Sequence, residues 1–285
     1  MFYIIISICC NITVAVLFKL ARRYHINTGQ AIVWNYLTAI FLSWIFFQPQ
    51  IGDVREGPVS IYIALGILLP SMFVVIARSI RHTGIVRTDV AQRLSLFIPV
   101  IAAYLIFDEI FSASRISGIT LGFLAITCSI PWQRSDGAGN KRSGLWLYPV
   151  TVFLGMGIID ILFKQIAQYT AIPYTSSLFI VFLLAFCLSG MVLFYLIFSK
   201  KTTFEWINLV CGIILGSFNF GNILFYLKAH QVLAKTPSIV FSSMNIGVII
   251  LGSLVGLFIF KEKLSKLNYF GIALAVISIL IISFL

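Results

Sequence analysis

The sequence predicts an all-α polytopic membrane protein of ten transmembrane helices, arranged as two inverted five-helix repeats. Three observations lead there. Of the 285 residues, 60% are hydrophobic and only 10% are charged, against about 25% charged in soluble domains. The apolar residues gather in stretches of about 20, the length needed to cross a hydrocarbon core about 30 Å thick. The chain also repeats itself. Residues 236–264 (TPSIVFSSMNIGVIILGSLVGLFIFKEKL) are matched 153 positions earlier by residues 83–111 (TGIVRTDVAQRLSLFIPVIAAYLIFDEIF). The shift pairs Thr236 with Thr83, Phe260 with Phe107, Glu262 with Glu109, Ser265 with Ser112 and Gly271 with Gly118.

Cutting at charged, Pro-rich or Gly-rich breaks gives spans at 2–19, 30–47, 59–80, 88–107, 114–131, 145–164, 174–198, 206–228, 236–260 and 267–285. Span 1 has no basic residue ahead of it and ends in Lys19, Arg22 and Arg23, the reverse of signal-peptide order, so it is expected to remain in the protein. Its Leu17-Phe18-Lys19 recurs in span 6 as Leu162-Phe163-Lys164, and Gly66 to Ser71 of span 3 recurs in span 8 as Gly212 to Ser217. The offset then grows by seven before spans 4 and 9, which predicts about two extra helical turns in or after span 8. The longest polar break, 133–143, divides the chain into a first repeat (1–131), a linker (132–144) and a second repeat (145–285). Five spans per copy put the second copy upside down in the bilayer, the inverted repeat of many secondary transporters.

Spans 4 and 9 carry polar or small residues at steps of three and four. The stripe is Asp89, Gln92, Leu96, Pro99 and Ala103 in the first, and Ser238, Ser242, Asn245, Ile249, Gly252 and Gly256 in the second. Such a stripe points inward, because lipid leaves polar groups unpaired. Gln92 and Asn245 align across the repeats, so two carboxamides are expected to flank a central cavity, helix–helix hydrogen bonding being their alternative role. Asp89 and Arg93 stand at i and i+4, as an ion pair at the headgroups or, for the deeper Arg93, as a cavity residue. Span 6 holds Asp160, the only acid well inside an apolar segment, one turn before Lys164. Intramembrane acids are costly, so Asp160 is a coupling candidate with Lys164, or else its structural partner. Span 8 adds Asn219, Asn222 and Tyr226 on the face of Gly212 and Gly216. Trp34, Asn35 and Asn11 are further polar candidates, Trp34 serving equally as an interfacial anchor. Glu109 and Glu262 read as structural caps at the start of the next helix. The steps Gly118/Gly122 and Gly271/Ala275 read as packing faces.

These features together resemble the drug/metabolite transporter superfamily, in its ten-helix EamA-like branch. The resemblance is carried by the acid after the fourth helix of each copy (Glu109 in FDEIFS, Glu262 in FKEKLS), a glycine nine residues later (Gly118, Gly271), and the Tyr226-Leu-Lys-Ala229 exit of span 8. It covers essentially the whole chain. It implies the ten-helix fold and the carriage of small metabolites, with members that move amino acids, nucleotides, sugars and drugs.

Several function classes drop out. The five cysteines lie in apolar stretches without CxxC or metal-ligand spacing, so no metal or redox cofactor is expected. The net charge of +11 comes from basic residues flanking apolar spans, which sets membrane orientation and does not call for nucleic acid. No HExxH, acidic pair, deep histidine or P-loop supports an intramembrane enzyme or a self-contained pump. A scaffold or receptor would more naturally carry a soluble domain. The expectation is therefore a non-enzymatic secondary active transporter of an amino acid or similar polar or amphipathic solute. Its working direction is export, its partners are the solute, the bilayer and a coupling proton or other ion, and oligomeric state is not written in the sequence. Arg93 and Lys164 suit an anionic group on the solute. The setting is a bacterial inner membrane. Members of the superfamily often keep both termini in the cytoplasm. Here 14 Lys and Arg follow odd-numbered spans and five follow even-numbered ones (Arg55, Arg115, Lys164, Lys228, Lys235), which predicts both termini outside.

Overall fold

The computed structural model describes residues 1–23, 26–49, 57–83, 85–129, 147–199, 203–259 and 266–284, and all regular structure among them is helical. The helices are α1 (Phe2–Arg23), α2 (Thr28–Phe47), α3 (Val59–Thr83), α4 (Ile85–Leu94), α5 (Phe97–Leu105), α6 (Ala113–Ser129), α7 (Leu147–Gln168), α8 (Tyr174–Phe198), α9 (Trp206–Val232), α10 (Pro237–Phe258) and α11 (Lys266–Phe284). Among the described residues six helices are long and apolar enough to cross a membrane: α2, α7, α8, α9, α10 and the Val59–Ile80 part of α3. The apolar stretches of the others are shorter. Surface chemistry agrees with lipid surroundings. Large apolar side chains such as Phe194 and Phe198 of α8 are exposed, while Gln30, Asn35, Lys164, Asn208 and His230 are buried, the inverse of a water-soluble protein.

Local chemistry explains where the helices begin and end. Asn27 caps α2, its Oδ1 accepting from the backbone N–H groups of Gly29 and Gln30. Gln48 closes the same helix in the left-handed region at φ 43°, its N–H donating to Trp44 O. Pro173 precedes α8, and Pro237 occupies the first turn of α10, where a missing N–H costs nothing.

Span 4 differs from the expected single helix. It is split into α4 and α5 at Ser95-Leu96. Pro99 has no N–H to offer the Ser95 carbonyl four residues back, and that carbonyl accepts from Ile98 N instead. Pro99 sits in the first turn of the new helix, where its ring is tolerated. The aligned position of span 9 is Gly252, and α10 runs unbroken through it. The extra residues expected around span 8 are divided: α9 continues to Val232, and a short connection then leads to Pro237.

Packing groups the chain into two compact units: Met1–Val74 with Leu162–Val232, and Val75–Ile161 with Leu233–Leu285. Each is drawn from both halves of the chain, and the division falls inside α3 and α7. In the first unit α2 lies along α9. Gly212 and Gly216 let the α9 backbone meet that of α2, since a Cβ on Gly212 would fall 2.8 Å from Ala31 O and one on Gly216 would fall 2.7 Å from Asn35 O. The same close approach joins α3 to α8, where a Cβ on Gly66 would fall 2.6 Å from Leu184 Cβ. In the second unit α6 and α11 pack at their small residues. Ser278 Oγ donates to Gly118 O at 2.7 Å, and a Cβ on Gly122 would meet that hydroxyl at 2.9 Å.

These seams set opposite expectations for one substitution. Gly212→Ala should lower stability by about 1–3 kcal/mol, because backbone cannot yield to the new methyl. Gly190→Ala in α8 meets nothing within 4 Å and should be neutral or stabilising by up to about 1 kcal/mol. Thermal unfolding of both variants in detergent measures the contrast, and equal melting temperatures would refute the tight seam.

Candidate functional site

The candidate residues fall in two groups, one in each unit. In the first unit the polar positions of α9 face α1 and α2. Asn219 Nδ2 donates to Asn35 Oδ1 at 3.0 Å, and Ser7 Oγ of α1 donates to Asn222 Oδ1 at 2.9 Å. These predicted cavity residues therefore tie helices together, the alternative role open to carboxamides in apolar surroundings. Trp34 lies over Gly212, with its ring edge-on to Phe204 at 6.2 Å between centroids.

At the end of α9, Lys164 is 0% exposed, and its Nζ donates to the His230 carbonyl at 3.3 Å. Tyr226 packs edge-on between His230 (4.7 Å) and Phe163 (6.3 Å). His230 falls outside the expected span of 206–228, yet the longer α9 carries it into its last turn, fully buried. Asp160, one turn before Lys164 on α7, is partly buried and falls on the second unit's side of the division inside that helix.

A further cluster was not read from the sequence. Gln30 Oε1 accepts from Asn208 Nδ2 at 3.1 Å and from Glu205 N at 3.3 Å, its Nε2 donates to Thr203 O, and Asn27 N donates to Asn208 Oδ1 at 2.9 Å. The N-terminal ends of α2 and α9 are clasped by these bonds. The spacing Asn27-x-x-Gln30 is the capping-box pattern, the one local signal that pointed to it.

In the second unit Gln92 and Arg93 occupy the last turn of α4, both partly buried, directly before the break at Ser95-Leu96. Ser95 Oγ donates to Gln92 O at 2.6 Å. Asn245 is also partly buried, and its Nδ2 donates to Phe241 O of its own helix at 3.1 Å. No hydrogen bond joins Gln92 to Asn245 among the described residues. Asp89 belongs to α4 with its side chain outside the described residues, and Glu262 lies outside them altogether.

Glu109 is buried, and its cap differs from the one expected. It does not serve α6, the helix that follows it. Oε2 accepts from Ser238 N at 2.8 Å and Oε1 from Ser238 Oγ at 2.5 Å, at the first turn of α10, while Arg115 Nη1 pairs with Oε1 at 2.9 Å. Asp108 adopts φ 50°, and Glu109 N donates to Ala103 O. Asp tolerates this left-handed turn better than most residues. The acid meets the positive end of a helix dipole and an arginine together.

No protein-family model matches the chain. A protein of Haemophilus influenzae, described only as uncharacterized, is 43% identical over 293 residues, which cover 99% of this chain and 97% of its own. A crystal structure of a protein 10% identical superposes with a TM-score of 0.73 over 99% of this chain and 98% of its own, a likeness of fold alone.

The Glu109 cap makes a stability prediction. Glu109→Gln keeps the shape and removes the charge, and should cost about 1.5–3 kcal/mol. Ser238→Ala should cost less alone, and the double variant should fall well short of the sum because both act on one contact. Strict additivity in chemical denaturation would show that the two side chains do not work together.

Proposed function

We propose that this chain, which belongs to the same family as that Haemophilus influenzae protein, is a secondary active transporter of a small polar or amphipathic metabolite, such as an amino acid. The observation that carries the reading is the helix interrupted at Ser95-Leu96 immediately after Gln92 and Arg93. A broken helix in hydrocarbon is tolerated where its freed backbone groups line a polar space or are buried in protein, and discontinuous helices bearing polar side chains recur at transporter substrate sites. The spans number ten in this reading, α4 and α5 together making the fourth. The inverted repeat is supported by the glycines aligned at 66 and 212. Each lies where the third helix of one repeat meets the second helix of the other, in reciprocal fashion. The EamA-like resemblance belongs to the same reading.

In it Arg93 holds an anionic group of the solute. Asp160 exchanges a proton or holds a substrate amine as access alternates, with Lys164 one turn away adjusting its charge state. The protein resides in a bacterial inner membrane with both termini outside, exporting its solute.

In proteoliposomes, Arg93→Gln should lower the apparent affinity for an anionic solute at least tenfold, the loss of a charge-assisted contact. Asp160→Asn should abolish concentrative uptake in a folded protein. Counterflow survives if Asp160 only couples and is lost if it binds solute. Normal pH-dependent accumulation by the Asn variant would reduce Asp160 to a structural residue. A C-terminal alkaline phosphatase fusion should be active and the matching fluorescent-protein fusion dark; the opposite pattern would reverse the orientation.

A further inference from the structure

The break between α4 and α5 removes successive helical bonds. Leu96, Phe97 and Ile98 do not donate to the carbonyls four residues back, and Pro99 has no N–H to give Ser95. Two bonds of shorter reach replace them, Leu96 N to Arg93 O at 3.4 Å and Ile98 N to Ser95 O at 3.0 Å. The first is long for such a bond and correspondingly weak. The Gln92 carbonyl, which Leu96 would serve in an unbroken helix, accepts from Ser95 Oγ instead.

The two sides of the break are held unequally. At the first turn of α5 the Phe97 ring stacks on Phe123 of α6 at 3.5 Å between centroids, and a Cβ on Gly157 of α7 would fall 2.6 Å from Ile98 Cβ. Val100, Ala102 and Ala103 are buried, and Glu109, whose N–H donates to Ala103 O, ties the far end to α10. α5 is thus clamped along its length. α4 has ten residues, too few to be stable as an isolated helix. A tie away from the break joins Thr88 to Ser79, in the last turns of α3, at 2.7 Å between hydroxyls.

We propose that the break is a hinge: α4 swings about Ser95-Leu96 against a fixed α5, carrying Gln92 and Arg93 with it. The inference rests on the transporter reading and deepens it by naming the element that moves. Straightening would return Leu96, Phe97 and Ile98 to the Gln92, Arg93 and Leu94 carbonyls. Pro99 limits that gain, because its ring crowds the Ser95 carbonyl and offers no N–H. Bent and straight forms therefore exchange one set of bonds for another, the condition for two states of similar free energy. Arg93 stands two residues from the pivot, so the swing changes the direction in which it presents a bound anion. The aligned α10 has Gly252 where Pro99 stands and is continuous, so the device belongs to one half of the chain.

A trifluoromethylphenylalanine encoded in place of Leu94, the last residue of α4, reports the hinge by fluorine NMR of the purified protein. The otherwise native chain should give two signals in exchange, and Pro99→Ala, which supplies the missing N–H, should give one. Adding Ser95→Gly to Pro99→Ala loosens the backbone again and should bring the second signal back. In proteoliposomes, with the common L-amino acids as probes, Pro99→Ala should lower turnover about fivefold or more and leave KM within about twofold. Ser95→Gly should recover most of that loss. A fixed kink that only shapes the site would instead raise KM, would not be rescued by glycine, and would overturn the inference. A single fluorine signal from the otherwise native chain overturns it too, and decides alone should Pro99→Ala fail to fold. Uptake by native protein with unchanged turnover in Pro99→Ala would leave the transporter reading standing while the hinge falls. Two signals merged by Pro99→Ala, with no flux of any probe, would do the reverse.

Discussion

The contact on which the first unit depends is the backbone approach of α9 to α2 at Gly212 and Gly216. Helices in lipid gain nothing from hiding apolar surface, because the tails around them are equally apolar, so association rests on close packing and interhelical hydrogen bonds. Any side chain at those two positions would strike the Ala31 or Asn35 carbonyl. With glycine there, the helices come near enough for Cα–H to carbonyl contacts, and their register is fixed. The Asn219–Asn35 bond and the Gln30–Asn208 clasp both lie along that register. A shift of one residue would carry each carboxamide away from its partner.

The second unit has a small-residue seam of its own at Gly118, Gly122 and Ser278, and adds a tie of another kind: a buried carboxylate between a helix terminus and an arginine. Removing either partner leaves charge without compensation, whereas the glycine seams fail by steric displacement. The contrast follows from position. The glycine contacts lie within long apolar helices, where a charge would be expensive, and Glu109 stands in the connection between α5 and α6.

The helices were legible in the sequence because hydropathy and length are properties of each stretch by itself, and among the described residues six of them are long and apolar enough to cross a membrane. All ten expected segments carry helix, and the aligned glycines Gly66 and Gly212 both mark close helix contacts. What escaped was set by distant partners. Pro99 was read as a small member of an inward stripe, yet its missing N–H ends α4; Pro70 lies inside α3 without breaking it, so local sequence did not separate the two cases. Glu109 was assigned as a cap to the helix beginning four residues later, because dipole rules look only to neighbours, and the helix terminus that it caps is 129 residues away. Asn219 and Asn222 were legible as inward-facing residues. That they would bond Asn35 and Ser7, 184 and 215 positions distant, was not.

The interleaving of the two halves of the chain has a consequence for how the protein is made. Residues 1–131 leave the ribosome with neither seam of the first unit available, since α8 and α9 are both still unsynthesised. Glu109 and Arg115 likewise enter the membrane region well before Ser238 exists. Pairings of such long sequence separation carry a large closure cost and form late. The half-made protein must therefore persist as separately inserted helices, with Asn35 and Gln30 lacking their α9 partners, until about four-fifths of the chain has been translated. A stall or truncation before α9 would leave those carboxamides exposed to lipid or to one another, a state that membrane quality-control proteases are placed to recognise.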